Sequence, residues 1–461
     1  MKKTFCLMLC LITVFSLCAC KKKQAAVAEA AASPVTEAVA TASPETTAAK
    51  ETETAAETAE VPSEEETSAP EETEAPEVPE EAVPVPEKLS LLITNIAKTA
   101  QNPDNRIVYT TMIPDAHFSE QGAGEYEALA MTLSEDTAYL QNLVSEENLE
   151  FGSYDDYLND KYFEGFSHDI GGTVIRADSA VVSIKHEYSG YRGGAHGDYS
   201  ILAYNYDAKT GNRLAVSDLV KDTEELRKIL AAKLEEIPDV EYFEDPGTAL
   251  MYYAYDADHS EHEKQLFSFA VGNEAVTFWF NPYELSAYAF GIQEIVLPYS
   301  DYPDLFNKKY TTSRENYAEP VDEYVRYPLF TFEPAYNEYG IISGLTVNGE
   351  TFDTFTYSTD PYLIKKDGTY YLYVFCTEDD DGRFLEVIRL TGDKPSYVGR
   401  FDGTLYVEHD VTASPDSTEE LHISEARLTT YPLTDPEDFP LSAPNGVEEY
   451  RTGSDGLPVR K

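Results

Sequence analysis

Tyr191, Arg192, His196 and Asp198 put a phenol, a guanidinium, an imidazole and a carboxylate within eight positions, interleaved with Gly190, Gly193, Gly194 and Gly197. Glycines at this density let the backbone turn sharply and approach a neighbour closely. Nothing after them reads Gly-Lys-Ser/Thr, so a phosphate-cradling loop is excluded. Two readings remain. Either the stretch is a wide hairpin whose glycines serve geometry alone, or Tyr191, Arg192, Gly193, Gly194, His196 and Asp198 form a recognition tip, Tyr and Arg being favoured interface anchors. As a catalytic base, His196 would need a nucleophile and an orienting carboxylate brought to it by the fold. His186 shares a strand face with Val182, Ile184 and Tyr188 and reads as a core histidine.

The remaining polar clusters carry weaker signals. Asp256, Asp258, His259, Glu261, His262 and Glu263 would suit a divalent metal if helical, yet they do not spell His-Glu-x-x-His and read as a solvated loop. Asp379-Asp380-Asp381-Gly382 lacks the ligand spacing and the distant Glu of a calcium loop and reads as a hairpin tip. Cys376 follows Tyr370-Tyr371-Leu372-Tyr373-Val374-Phe375, where a buried, inert thiol is expected rather than a nucleophile. No cofactor, metal site or catalytic residue is assigned.

The elements that must position the loop follow from periodicity. Leu91-Leu92-Ile93 and Ile107-Val108-Tyr109 read as short strands, and Tyr126, Leu129, Ala130, Leu133, Thr137, Leu140 and Val144 recur at helical spacing. Strand patterns follow at Thr173–Ile175, Ala180–Tyr188 and Ile201–Tyr206. Asp222 and Glu225 form a capping box ahead of Leu226, Ile229, Leu230, Leu234 and Ile237, which marks a second amphipathic helix. Phe267–Val271, a tight turn at Gly272-Asn273, Val276–Phe280 and Ile292–Leu297 add three more strands. Beyond residue 310, strand patterns recur about every ten residues, with turn signals at Asn348-Gly349 and Asp367-Gly368. The expected class is therefore α+β: a mostly antiparallel sheet with at least two packed helices over 89–310, then a β-rich second domain over 311–461.

Several of these segments also carry a resemblance. Tyr188 to Gly197, with Asn205-Tyr206-Asp207, Thr210-Gly211, Leu214 and Asp218-Leu219 after it, resembles the GGAH-type domain of RsiV-like proteins. Phe278-Trp279-Phe280-Asn281-Pro282-Tyr283-Glu284, Gly291 and Val296-Leu297-Pro298-Tyr299 continue the resemblance, which spans roughly residues 105 to 306. That domain forms the ectodomain of a lysozyme-responsive anti-sigma factor and accompanies some peptidoglycan deacetylases. The resemblance implies an extracytoplasmic recognition module, with lysozyme-like enzymes or wall glycan as ligands. The chain departs from the family in having neither a cytoplasmic sigma-binding segment nor a deacetylase block of Asp and His residues.

The N-terminal segment implies the same compartment. Met1-Lys2-Lys3, an apolar run of about fifteen residues and Leu17-Cys18-Ala19-Cys20 have the layout of a secretory signal. The ending resembles the lipobox of bacterial lipoproteins, so residues 1–19 are expected to be removed and Cys20 acylated. Lys21-Lys22-Lys23 would assist the anchor at anionic headgroups. Over 20–88 the lipidated Cys20 leads into Ala, Glu, Thr, Pro and Ser without an aromatic residue. That composition reads as a disordered tether spanning roughly 45 Å as a flexible coil. Past Cys20 only Cys376 remains, so no intrachain disulfide is expected there.

Charge narrows the partners. Of 84 acidic and 34 basic side chains, 67 and 27 lie beyond residue 88, which leaves the head near −40. Such a surface repels nucleic acid and attracts cationic proteins. The leading expectation is a membrane-anchored, extracytoplasmic binding protein that senses or sequesters a lysozyme-like cationic protein or peptidoglycan. The alternatives are a peptidoglycan-modifying hydrolase, which would need His196 or His186 beside carboxylates of raised pKa, and a structural envelope spacer.

Overall fold

A computed structural model describes residues 83–461 apart from 120–122, 145–164, 255–264, 323–325, 328–329, 379–381, 391–393, 406, 409–413, 418–421 and 444–445. The acidic clusters at 256–263 and 379–381, Cys20 and the tether as far as residue 82 lie outside the described residues, whereas Glu87 and Lys88, at the end of the expected tether, already pair with Ser179 and Asp178. Contacts divide the chain between Glu81 and Ala82, and Ala82–Lys461 form one compact unit.

The largest sheet is built on five strands: β1 (Leu91–Gln101), β2 (Ile107–Phe118), β3 (Phe166–Ala177), β4 (Val181–Tyr191) and β5 (Asp198–Asp207). They lie side by side in chain order, with the β2–β3 pair parallel and the others antiparallel. Helix α1 (Glu127–Leu143) lies across one face. Its Leu129 and Leu133 meet Ile93, Val174, Val182 and Ile184, while Leu140 meets Ile113 and Ile170. Helix α2 (Thr223–Glu235) buries Leu226, Leu230 and Leu234 against a three-stranded sheet of Ser268–Val271, Ala275–Phe280 and Gln293–Pro298. Asp222 caps α2 by accepting from the Glu225 N–H at 2.9 Å, as the sequence pattern requires.

The expected α+β class does not hold: among the described residues the fold is mostly β, with strands far outweighing helices. The two amphipathic helices are present, but the strands are far longer than the patterns that announced them; Leu91-Leu92-Ile93, for example, is the start of an eleven-residue strand. Polar positions such as Thr94, Asn95, Lys98 and Thr99 interrupt its apolar pattern, and cross-strand pairing extends the strand through them.

After residue 310 every long described element is a strand. A five-stranded sheet (Tyr317–Pro320, Thr359–Lys366, Thr369–Thr377, Arg383–Leu390, Ser396–Asp402) is covered on one face by a four-stranded sheet that contributes Phe332, Ile342, Leu345 and Val347. Leu433, Phe439, Leu441 and Tyr450 cover the other. Double coverage accounts for the near-continuous apolar runs of its central strands. Asn348-Gly349 and Asp367-Gly368 adopt φ values of 49° and 78°, and of 49° and 74°, the left-handed pair that a two-residue hairpin turn demands.

Chain crossings tie the two halves together. His422–Thr430 returns to pair antiparallel with β1, from Ile93 opposite Thr430 to Gln101 opposite His422. Arg176, 2% exposed, pairs with Asp178 at 2.6 Å and donates to the carbonyls of Gly272, Tyr310 and Thr312. Glu319 accepts from the backbone and side chain of Asn273, and Glu274 accepts from Tyr317, Lys365 and Tyr370. Among the described residues no helix is long and apolar enough to cross a membrane.

Candidate functional site

The β4–β5 ladder runs from Val181 opposite Asp207 to Gly190 opposite Asp198, so Arg192–Gly197 form the connecting tip. Three glycines there are structural necessities. A Cβ on Gly197 would stand 2.7 Å from the Gly190 carbonyl oxygen, and Gly194 has a φ of 106°. Gly193 also turns through the left-handed region, at 90°. The Tyr191 hydroxyl donates to the Gly194 carbonyl at 3.2 Å, and Arg192 pairs with Asp198 at 3.0 Å. The predicted residues are thus brought together, and their side chains partly brace the loop from within.

His196 is exposed, and its Nδ1 donates to the Gly197 carbonyl at 3.0 Å. Its ring stacks on Tyr288 with centroids 4.2 Å apart and planes 27° from parallel. Tyr288 in turn donates to the Gly197 carbonyl at 2.8 Å and meets Tyr199 edge-on at 5.3 Å and Tyr283 at 5.7 Å. Tyr283 is 58% exposed, on a backbone with φ of 70°. Asn281 fixes this second loop to β5: its Oδ1 accepts from the Ile201 N–H at 2.7 Å, and its Nδ2 donates to the Ile201 carbonyl at 3.1 Å. The outcome is a surface of stacked and tilted rings from two loops, with an Arg–Asp pair beside it.

Sequence reasoning missed Tyr283 and Tyr288. The signal lay in Asn281-Pro282-Tyr283-Glu284, but the contact spans about ninety residues and only the fold reveals it.

Behind the tip, His168 and His186 are both buried. His186 packs edge-on to Tyr204 and His168 to Tyr188. Burial, assisted by Arg213 for His186 and by Arg192 for His168, pulls both imidazoles down to about 4, so both are neutral at physiological pH. The expectation that His186 belongs to the core is met in its burial, although its Nδ1 finds no hydrogen-bond partner among the described residues.

A second site was not anticipated. A half-open cavity of about 330 Å³ lies between β3 and β4, the three-stranded sheet and the five-stranded sheet. Lys185 reaches into it from β4 and donates to Asp322 at 2.6 Å, with Glu187 at 3.4 Å. Burial opposes the Lys185 charge, but the carboxylates of Asp322 and Glu187 overcome it and raise its pKa. Trp279 donates its indole N–H to Glu294 at 2.8 Å. Burial first, then the neighbouring Asp322, pushes the Glu294 carboxyl up to about 7. Ile175, Val296, Tyr362 and Phe375 supply the hydrocarbon walls. Cys376 is buried as expected, and burial pushes its thiol up to about 12.

Helix α2, the three-stranded sheet and the loop carrying Asn281, Tyr283 and Tyr288 fall in one recognisable segment. Residues 217–300 match the DUF3298 family, a protein family of unknown function. The glycine-rich tip lies outside the DUF3298 match. None of the curated proteins matches the chain. A member of the DUF3298 family from Bacteroides fragilis has 17% identity and a TM-score of 0.31, over 48% of this chain and 96% of that one. A DUF3298 family protein from Pseudomonas aeruginosa has 17% identity and a TM-score of 0.30, over 50% and 99%.

Proposed function

We propose that the chain is a lipid-anchored extracytoplasmic binding protein whose β4–β5 tip captures a cationic wall-active protein of the lysozyme kind. The observation that carries this reading is the ring surface of His196, Tyr288, Tyr283 and Tyr199, set beside the Arg192–Asp198 pair on a head of strongly negative charge. Aromatic and arginine side chains are the usual anchors of protein interfaces, and long-range attraction would gather a cationic partner. The Nδ1 of His196 donates to a backbone carbonyl and its ring is stacked on Tyr288, which holds the imidazole in the ring surface. Acylation at Cys20 and the Ala/Glu/Pro/Thr tether complete the proposal by mooring the head outside the membrane.

The full chain in detergent, immobilised and offered lysozyme, is expected to retain it at low salt and less of it at moderate salt. Arg192→Ala and Tyr288→Ala should each weaken retention by roughly tenfold or more, the range of an interface anchor. Retention unchanged in both variants would dismiss the tip as the binding surface. A second reading, peptidoglycan, is favoured by the stacked His196–Tyr288 pair with Tyr283 exposed next to it, since flat rings also pack against sugar faces. Sedimentation with purified wall sacculi, lost on Tyr283→Ala, would favour that ligand.

A further inference from the structure

Lys185 is buried, and its Nζ lies 2.6 Å from a carboxylate oxygen of Asp322, a residue 137 positions further along the chain. Asp322 in turn shares a hydrogen bond with Glu294, which also accepts the indole N–H of Trp279 at 2.8 Å. A hydrogen bond between two carboxyl groups needs one proton, and Glu294, buried and raised to about 7, holds it. An amine, a carboxyl group and a protonated acid are therefore in contact, walled by Trp279, Ile175, Tyr362 and Phe375. Glu187 stands farther from Lys185, at 3.4 Å, and only two residues along the same strand.

These are the groups that amide condensation requires. The carboxyl carbon of Asp322 lies one bond beyond the oxygen that Nζ touches, close to the near-attack range of about 3–3.5 Å. Groups held so are worth effective concentrations of about 10⁵–10⁸ M, which offsets the preference of bulk water for free amine and acid. Burial opposes the Lys185 charge, and the carboxylates of Asp322 and Glu187 sustain it. Yet a neutral amine beside a neutral acid carries the same number of protons as the ion pair. One proton passing from Nζ to Asp322 within the contact gives that reactive form, and hydrocarbon and ring walls favour it because neither group is then charged.

We propose that Lys185 and Asp322 condense to an intramolecular isopeptide bond, with Glu294 as the proton relay. As the Nζ–Cγ bond forms, Glu294 donates its proton to the Asp322 carboxyl oxygen and takes one back from Nζ. In the collapse it protonates the departing hydroxyl and recovers the proton of the remaining one. The Cγ–O bond breaks, one water leaves through the half-open cavity, and Glu294 ends protonated as it began, with no change of oxidation state. The bond ties β4 to the segment after Tyr317–Pro320, and so the two halves of the head to each other, in a chain that has one cysteine past Cys20. It removes the charges of Lys185 and Asp322 and leaves Glu294 buried, so the titration of Glu294 persists. The inference rests on neither the anchor nor the ligand proposed for the β4–β5 tip.

Trypsin releases the bond in a form that mass spectrometry reads directly. From the denatured full chain, Ala177–Arg192 should appear uncut at Lys185 and joined to Glu315–Arg326, lighter than the two peptides together by one water. Lys185→Arg keeps the positive charge and should give only separate peptides. Glu294→Gln keeps the side-chain shape but not the proton, and should lower the branched fraction at least tenfold in freshly made protein that still melts cooperatively. Glu187→Gln should leave the branched peptide in place. The proposal is overturned by cleavage at Lys185 with separate peptides in native protein that melts cooperatively, by full cross-linking in Glu294→Gln, or by a branch from Lys185 to a residue other than Asp322.

Discussion

At the scale of single residues, the tip shows what a sequence states and what it withholds. The need for glycine was legible in the spacing of Gly190, Gly193, Gly194 and Gly197, and two of the four are explained by a left-handed backbone and one by a close approach. The ring that His196 lies on was not legible, because Tyr288 arrives from a loop on another sheet. Cys376 was readable from its neighbours alone, since six apolar or aromatic residues precede it in one strand. Gly197 offers a sharp test of the tip. An added methyl there meets the Gly190 carbonyl oxygen at 2.7 Å, so Gly197→Ala must push the two loop ends apart and unseat His196 from Tyr288. Binding at the tip should fall about as far as in Tyr288→Ala. The thermal midpoint should move little, because the loop sits beyond the buried part of the ladder, whose core residues lie at Val181–His186. Binding assay and melting curve on the same sample check both halves of the expectation.

At the scale of elements, legibility followed how local the determining signal is. Helix α2 was announced by its cap and its stripe, and the hairpin turns at Asn348-Gly349 and Asp367-Gly368 by residue types that tolerate positive φ. Each of these is decided within a few residues. Strand length is not, because Thr, Asn and Lys positions in β1 become strand only when β2 and His422–Thr430 flank them on both sides. This is why the helices were placed and the fold class was not: helices carry their hydrogen bonds within themselves, whereas strands borrow them from partners elsewhere in the chain. The cap of α2 can be priced. Asp222→Ala removes the acceptor of the Glu225 N–H and should lower stability by about 1 kcal/mol in a denaturant titration, whereas Asp222→Asn or Asp222→Ser should retain most of it.

At the scale of the whole molecule, the halves on either side of residue 310 are joined by a returning strand and by polar groups buried between sheets, and the Lys185 cavity sits in that join. No window of sequence displays such a feature, since Lys185 and Glu294 lie on two different strands and Asp322 on the segment after a third. The join is also where pH should act. Glu294, raised to about 7 when folded, binds its proton more tightly in the native chain than in the unfolded one, where an ordinary Glu titrates near 4.5. Its contribution to stability is therefore complete at pH values below the unfolded range and is lost as the pH rises through about 7. Asp169, raised to about 6 by burial, acts in the same direction. His168 and His186, lowered to about 4, oppose them, because their contribution appears as the pH climbs toward 6.5. The net profile of the native protein between pH 4 and 7 is thus a difference of opposed slopes, and one variant is needed to expose a single component. Glu294→Gln keeps the shape of the side chain, including a carbonyl oxygen to accept from Trp279, and removes the titration. Its stability relative to the native chain should rise between pH 5 and pH 8. The native chain must bury an ionised Glu294 beside Asp322 at the upper pH, whereas the amide carries no charge at either. A relative stability independent of pH would mean that Glu294 titrates normally, with the join open to water.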